Sequence, residues 1–308
     1  MSSLGNAKEG SNGSMGRSRL LRVTAKALGL ALIGWVILMQ SGCFTMRTAD
    51  GKWARELAKK GQHHAPLFID ARSSTGRMVH AVGISVADSL PVVVGLHGSP
   101  GSADAFMDYL ADTMFTAQVR FLAVDRPGFG YTEFGHSETS LSAQALDLKA
   151  ALERFAPGKP AVLVGHSLGG PLIVRFAIDH PDLVQGLVIV SGSVDPDLEP
   201  HPWWQKPIDR WPLRWLIPRS MWSSNHEIIA LEEELRRMAP QWSAIQCPVR
   251  IVHAVDDRLV PFANAIYSRK MLVAAADVRL DSLGSGGHFL LWNNREAVTR
   301  AVLDLLRY

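Results

Sequence analysis

Beyond residue 65 the apolar positions follow two alternating patterns. Short runs of branched aliphatic residues, closed by Gly, Pro, Asp or Asn, read as strands; longer stretches with apolar residues three and four apart read as helices. "PLFIDAR" and "RMVHAVGISV" predict two strands joined at "SSTG". "PVVVGLHG", "VRFLAVD", "PAVLVGHS" and "VQGLVIVSG" are continuous apolar runs, as in strands buried on both faces. Helices are expected from about Ser102, in "SLSAQALDLKAALERFA", where Leu141, Ala145, Leu148 and Leu152 share a face, and in "LGGPLIVRFAIDH". Further on, "CPVRIVHAVDD", "FANAIYSRKMLVAA", "ADVRLDSL" and "REAVTRAVLDLLRY" read as strand, helix, strand and helix. This alternation predicts an α/β fold: a mostly parallel central sheet with helices on both faces.

The rhythm breaks over about 194–243. Six of the nine tryptophans fall there: Trp203, Trp204, Trp211, Trp215, Trp222 and Trp242. The insertion reads as a separate small unit between two strands. Its indoles either line an apolar pocket or pack the insertion onto the core. Within it "NHEIIALEEELRRM" predicts a helix with Glu232, Glu233 and Arg236 on a solvated face.

The N-terminus is different in kind. Residues 1–16, rich in Gly, Ser and Asn, are expected to be disordered, and Met15 is a candidate start. Arg17, Arg19, Arg22 and Lys26 precede "ALGLALIGWVILM", an apolar run of 13 residues from Ala27 to Met39. A spanning helix needs about 20 apolar residues, so the pattern suits an export signal. "MQSGC" resembles the lipobox of bacterial lipoproteins, matching it at Ser41, Gly42 and Cys43 but departing at Gln40. The resemblance implies cleavage after residue 42 and acylation of Cys43. Residues 1–42 are then a signal, 43–64 a tether with a short helix, and 65–308 the α/β body. An uncleaved anchor and a plain secretory signal are the rival readings. Phe44 after the cysteine, by the same resemblance, points to a bacterial envelope protein on the outer membrane, facing the periplasm. His63 and His64 are expected to be solvated.

Charge and cysteine content narrow the partners. The formal charge is +3, but residues 1–42 carry +4, which leaves the remainder at −1. Nothing electrostatic suggests nucleic acid. Cys43 and Cys247 do not make a disulfide framework, and Cys247 reads as a small buried residue. No cofactor and no metal are expected; the partners are a small-molecule substrate and, through Cys43, a membrane.

In open α/β sheets ligands bind beyond the carboxyl ends of the strands. Four predicted strands end there in His97-Gly98-Ser99, Ser167, Asp256-Asp257 and, through "GSGGHF", His288. A serine hydroxyl becomes a nucleophile only when a base takes its proton, and an acid must orient that base. "GHSLGG" suits a sharp strand-to-helix turn in which Gly165 and Gly169 leave room for close backbone approach. Ser167 is therefore the candidate nucleophile and His288 the base. Asp257 is the preferred acid because it lies just past the strand, with Asp256 as the alternative. The N–H groups of Leu168 and Ser99 are the candidate oxyanion donors. The plain readings make Ser167 a turn residue and His288 structural. His97 and His166 are expected in supporting roles and Arg126 as a brace for the loop, while His136, His180 and His226 have no assigned partners.

These pieces, "HGSPGS", "DRPGFG", "GHSLGG", "VDDRLVP" and "GGHF" in the order Ser, Asp, His, resemble the α/β-hydrolase superfamily over about 65–308. The resemblance implies that fold, with its cap between two strands, and an acyl-enzyme mechanism. Some relatives use an aspartate nucleophile; serine argues for ester-type bonds. The expected protein is an envelope-anchored serine hydrolase of a small or medium apolar ester. A non-catalytic binding protein and an acyltransferase, thioesterase or aminopeptidase relative remain the alternatives.

Overall fold

The computed structural model describes residues 12–308, with side chains from residue 19. Eight strands form one sheet in the order β1-β2-β4-β3-β5-β6-β7-β8. They are β1 (Leu67–Arg72), β2 (Met78–Ile84), β3 (Val92–Leu96), β4 (Arg120–Val124), β5 (Ala161–His166), β6 (Val184–Val190), β7 (Val249–Ala254) and β8 (Val278–Leu283). β1 and β2 form an antiparallel hairpin, β2 runs antiparallel to β4, and all remaining neighbours are parallel. This is the α/β fold expected from the alternation, a mostly parallel sheet with helices on both faces.

The continuous apolar runs are needed because both faces of the central strands are covered. In β5, Ala161 and Leu163 join the core on one face, and Val162 and Val164 join the core on the other. The first face carries Leu148 and Leu152 of the helix Leu141–Phe155 and Leu172 and Phe176 of Gly169–Asp179. Phe106, Tyr109 and Phe121 fill the second, together with Val298 and Leu305 of the helix Arg295–Leu305. Each such side chain, fully buried, contributes about 1.5–3 kcal/mol of apolar transfer. Register then aligns the strand ends: Leu96 pairs with Gly165, His166 with Val190, and Ala254 with Leu283. The loops after β3, β5, β7 and β8 therefore leave the sheet along one edge.

The cap contains the short helix Gln205–Ile208, a 3-10 turn over Leu213–Leu216 and a long helix, Arg219–Met238. The last begins six residues before the predicted start. Glu232 and Arg236 pair on its outer face. The tryptophans divide differently from either expectation. Trp242 is buried in the core and meets Tyr267 edge-on. Trp203, Trp204, Trp211 and Trp215 are exposed.

The N-terminal region also departs from its expected layout. We number its two helices α1 (Asn12–Gln40) and α2 (Asp50–Lys59). α1 starts inside the segment expected to be disordered; residues 1–11 of that segment lie outside the described residues. Within α1, Arg19–Gln40 is a run of 22 residues with mean hydropathy 1.7, long and apolar enough to cross a membrane by length and composition. Leu20, Leu21 and Val23, exposed on the N-terminal side of the 13-residue run, lengthen its apolar surface across Arg22 and Lys26. The segment 43–64 is more than a tether. Trp53 and Leu57 of α2 are fully buried beside Leu110 and Phe115. Gln62 donates to the carbonyl of Leu110 and the hydroxyl of Thr116. The packed body thus begins near Asp50 rather than residue 65. His63 and His64 are exposed.

Candidate active site

Ser167 follows β5 directly and has φ 53, a left-handed backbone that a residue with a side chain adopts only under constraint. Its N–H donates to the carbonyl of Val190 and its carbonyl accepts from Gly170, so the turn is held at both ends. The flanking glycines are sterically required. A Cβ on Gly165 would lie 2.3 Å from the carbonyl oxygen of Gly169, and one on Gly169 would lie 2.3 Å from that of Leu96. The backbone N–H of Leu168, at the start of the following helix, has no partner among the described residues.

On the adjacent β3 loop, a hydrogen-bond lattice sets the peptide planes. His97 Nδ1 donates to the carbonyl of Gly98 at 2.6 Å, and its Nε2 accepts the backbone N–H of Arg126 at 2.9 Å. That tautomer is fixed because a backbone N–H can only donate. Burial, then the charge of Arg126, lowers the His97 pKa to about 3, so the ring stays neutral. Arg126 donates to the carbonyls of His97 (2.9 Å) and Gly98 (3.2 Å). In a trans peptide the C=O of Gly98 and the N–H of Ser99 point in opposite directions. With the carbonyl drawn to Arg126 and His97, the Ser99 N–H is turned the other way, and among the described residues it has no partner.

His288 Nδ1 lies 2.9 Å from Oδ2 of Asp257, a buried carboxylate at the end of β7. Oδ1 of Asp257 accepts the N–H groups of Leu259 and Val260, both at 2.9 Å. Burial alone would raise the Asp257 pKa. Hydrogen bonding from His253 and His288 and from the Val260 backbone outweighs it and holds the group far below the usual carboxylate range. Asp256 is placed differently: its Oδ1 accepts from the N–H of Gly287, bracing the loop that carries His288. His166 Nε2 donates to the carbonyl of His288 at 2.9 Å. Its own pKa is lowered to about 4, by burial and then by His288. Among the described residues no hydrogen bond joins Ser167 to His288 in this unliganded geometry; such contacts commonly tighten only with substrate bound.

Ser167, Leu168, Ser99 and His288 all border one cavity of about 680 Å³. Its walls are mainly apolar, with Leu231 and Ile228 from the cap and Phe289 and Trp292 from the loop beyond β8. None of the six cap tryptophans lines it; the indole that does, Trp292, lies outside the insertion. Several polar or sulfur-bearing contributors, Asp104 among them, have no signal in the sequence. Glu199 and Ser193, joined by a hydrogen bond, enter from the start of the cap, and Met46 enters from the segment after α1. Burial raises the Glu199 pKa. A second hollow, about 740 Å³ between Asp112, Arg250, Arg295 and Asp304, contains no member of this constellation.

His226 accepts from or donates to Ser137 at 3.0 Å and stacks on Trp222. Cys247 is half-buried, and burial pushes its thiol up to about 12. Cys43 is exposed in a turn just past α1. Among the described residues, no group of three His, Cys, Asp or Glu side chains is placed to share a metal ion.

An elbow serine, a histidine–carboxylate pair and two backbone donors without partners among the described residues thus gather around one apolar cavity. Similarity in sequence accompanies this arrangement. Residues 91–216 match the family model for the alpha/beta hydrolase fold. The chain is 36% identical over 106 residues to the sn-1-specific diacylglycerol lipase ABHD11 of Mus musculus, covering 34% of each chain. It is 27% identical over 232 residues to RutD of Klebsiella pneumoniae strain 342, named as a carbamate hydrolase, covering 64% of this chain and 84% of that one. The chain thus spans only about a third of the first relative's length. A solved esterase of Exiguobacterium antarcticum superposes with a TM-score of 0.63 at 18% identity, over 79% of this chain and all of that one. At that identity the likeness concerns the fold. The chain has the α/β-hydrolase fold.

Proposed function

We propose that the protein is a serine hydrolase that cleaves an ester of a small or medium apolar acyl group through an acyl-enzyme. Ser167 attacks the carbonyl carbon. His288 takes the hydroxyl proton and passes it to the leaving alkoxide. Asp257 orients the imidazole and stabilises its cation, and the N–H groups of Leu168 and Ser99 hold the oxyanion. Water, activated by the same histidine, then releases the acid. The observation carrying this reading is that Ser167, at φ 53, shares an apolar cavity with a histidine bonded to a buried carboxylate at 2.9 Å. A merely structural turn has no need of that strain.

The same reading places the protein in the bacterial cell envelope, held by its N-terminus. Acyl chains on Cys43 after cleavage, facing the periplasm from the outer membrane, are one means. Retention of α1 as a span is the other, and the bonds between α1 and the cap favour it: Trp35 Nε1 donates to the carbonyl of Leu216 at 2.9 Å. The intact mass of membrane-extracted protein separates the two.

The test of the chemistry is turnover of p-nitrophenyl esters of graded acyl length, beside Ser167→Ala. Turnover by the wild type that vanishes in the variant supports the reading. If both are inert and a fluorophosphonate leaves Ser167 unlabelled, the alternative of a non-catalytic binding protein replaces it.

A further inference from the structure

The cap carries aromatic surface that the active site does not use. Trp211, Leu213 and Trp215 are 68%, 43% and 45% exposed. This surface is fastened to the end of α1. Besides the Trp35 bond, Gln40 Nε2 donates to the carbonyls of Trp215 (3.2 Å) and Ile217 (3.1 Å). The Ser220 hydroxyl donates to the carbonyl of Phe44 at 2.8 Å. Arg19–Gln40, at 1.5 Å per residue, is about 33 Å long, close to the roughly 30 Å of a hydrocarbon core. The exposed indoles therefore lie at the end of a span, the depth at which Trp side chains collect in membrane proteins.

Charge marks the same place. Between α1 and the cap lies a hollow of about 380 Å³ bordered by Gln40, Arg214, Trp215, Arg219 and Trp222, with no carboxylate in its wall. Arg214 sits 5.2 Å over the Trp222 ring, and among the described residues Arg219 Nε bonds Gln40 Oε1, at 3.5 Å. Residues 201–220 hold Lys206, Arg210, Arg214 and Arg219 against the single acid Asp209. Two guanidinium groups without an acidic partner among the described residues, at the end of α1 and flanked by indoles, suit a phosphate diester whose acyl tails run beside α1.

We propose that Arg214 and Arg219 hold the headgroup phosphate of an anionic phospholipid and so seat the cap on the bilayer surface. The inference rests on α1 being retained as the anchor. It gives the hydrolytic site a position: Met46, just past α1, and Pro200 of the cap both border its cavity. Substrate can then enter from the interface.

The test uses the full chain with Ser167→Ala, so that lipid is not consumed, in neutral detergent. Thermal unfolding is followed against dioctanoyl phosphatidylglycerol, dioctanoyl phosphatidylcholine and inorganic phosphate. The anionic lipid is expected to raise the midpoint saturably and the other two to leave it in place. Arg214→Gln with Arg219→Gln should weaken the lipid by roughly tenfold or more, as for loss of charged hydrogen bonds, and the Lys pair should restore part of it. The same affinity in the Gln pair, or an equal response to phosphate alone, overturns the proposal. In the active chain the Gln pair should turn over a soluble p-nitrophenyl ester like its parent; a loss there also overturns the assignment. An inert parent is instead the failure of the hydrolase reading, and an intact mass lacking residues 1–42 is the failure of the anchor.

Discussion

Arg126 and Glu227 meet at 2.8 and 3.0 Å, both sealed from solvent, and join the cap to the loop that carries the Ser99 N–H. Arg126 comes from the loop after β4 and Glu227 from the long cap helix. Gln144 supplies one more acceptor, at 3.1 Å. The guanidinium is saturated by side chains on one side and by the carbonyls of His97 and Gly98 on the other, so the cap and the oxyanion loop share one rigid element.

Breaking that pair should damage both fold and rate, and the two effects can be separated. Glu227→Ala leaves a buried cation unpaired and should cost about 3–5 kcal/mol in urea unfolding. Arg126→Met with Glu227→Leu should recover most of that stability. Because the Gly98 carbonyl is then without its guanidinium, ester kcat should still fall by about tenfold or more at unchanged KM. Full recovery of kcat in the double variant would show that His97 alone sets the peptide.

Adjacent aspartates should behave differently. Asp257→Asn removes the carboxylate on His288 and should lower kcat by about 10⁴-fold, the scale of losing a triad acid. Asp256→Asn keeps an acceptor for the Gly287 N–H and should stay within about threefold of wild type, the effect of a loop contact worth under 1 kcal/mol. Steady-state kinetics of the two variants side by side is the measurement.

Gly165→Ala should be poorly tolerated although it changes one methyl group. The new Cβ meets backbone, not a movable side chain, at 2.3 Å. A cost of about 3 kcal/mol, with loss of turnover as Ser167 is displaced, is the expected outcome. Gly158→Ala is the contrast: its site is spatially open but its φ of 67 is left-handed, so only the backbone term, about 1 kcal/mol, remains. Denaturant midpoints distinguish the two.

Stability should fall with pH well before the carboxylates titrate. His97 and His166 have folded pKa values lowered to about 3 and about 4, whereas an unfolded histidine titrates near 6.5. Between about pH 6.5 and 4 the unfolded chain binds protons that the native chain does not, so stability declines with falling pH, by about 1.4 kcal/mol per unit for each ring. Asp257 acts outside this window. Its depressed pKa contributes stability that is present above the ordinary carboxylate range and lost only in strong acid. His80 acts oppositely: burial there is outweighed by Asp125, its pKa is raised, and its contribution is lost only as pH rises past 6.5. Urea midpoints from pH 7.5 to 4.5 should show the decline, and His166→Gln should flatten part of it. A flat profile in the wild type would refute the neutral burial of both rings.

Much of this protein was legible in the order of its residues. Period-two and continuous apolar runs mark strands, and three-and-four spacing marks helices, because each element must present a face to a core. "GHSLGG" forecasts its own geometry, since the contact that excludes a Cβ at Gly165 lies only four residues away. Less was legible in the N-terminal segment. Arg22 and Lys26 interrupt the hydropathy pattern without interrupting the helix, and the burial of Trp53 depends on Leu110 and Phe115 far along the chain.

The sequence alone determined the α/β alternation, the chain order of the serine, acids and histidine, and the need for glycine around Ser167. These follow from sterics and periodicity within a few residues. Tertiary structure alone decided which of two neighbouring aspartates faces His288, that Glu227 reaches Arg126 across the cap, and that four of the six cap indoles are exposed and Trp242 is buried while Trp292 lines the cavity. Those outcomes depend on which surfaces meet when distant segments pack, and the direction of one side chain in such a contact is not encoded in its neighbours along the chain.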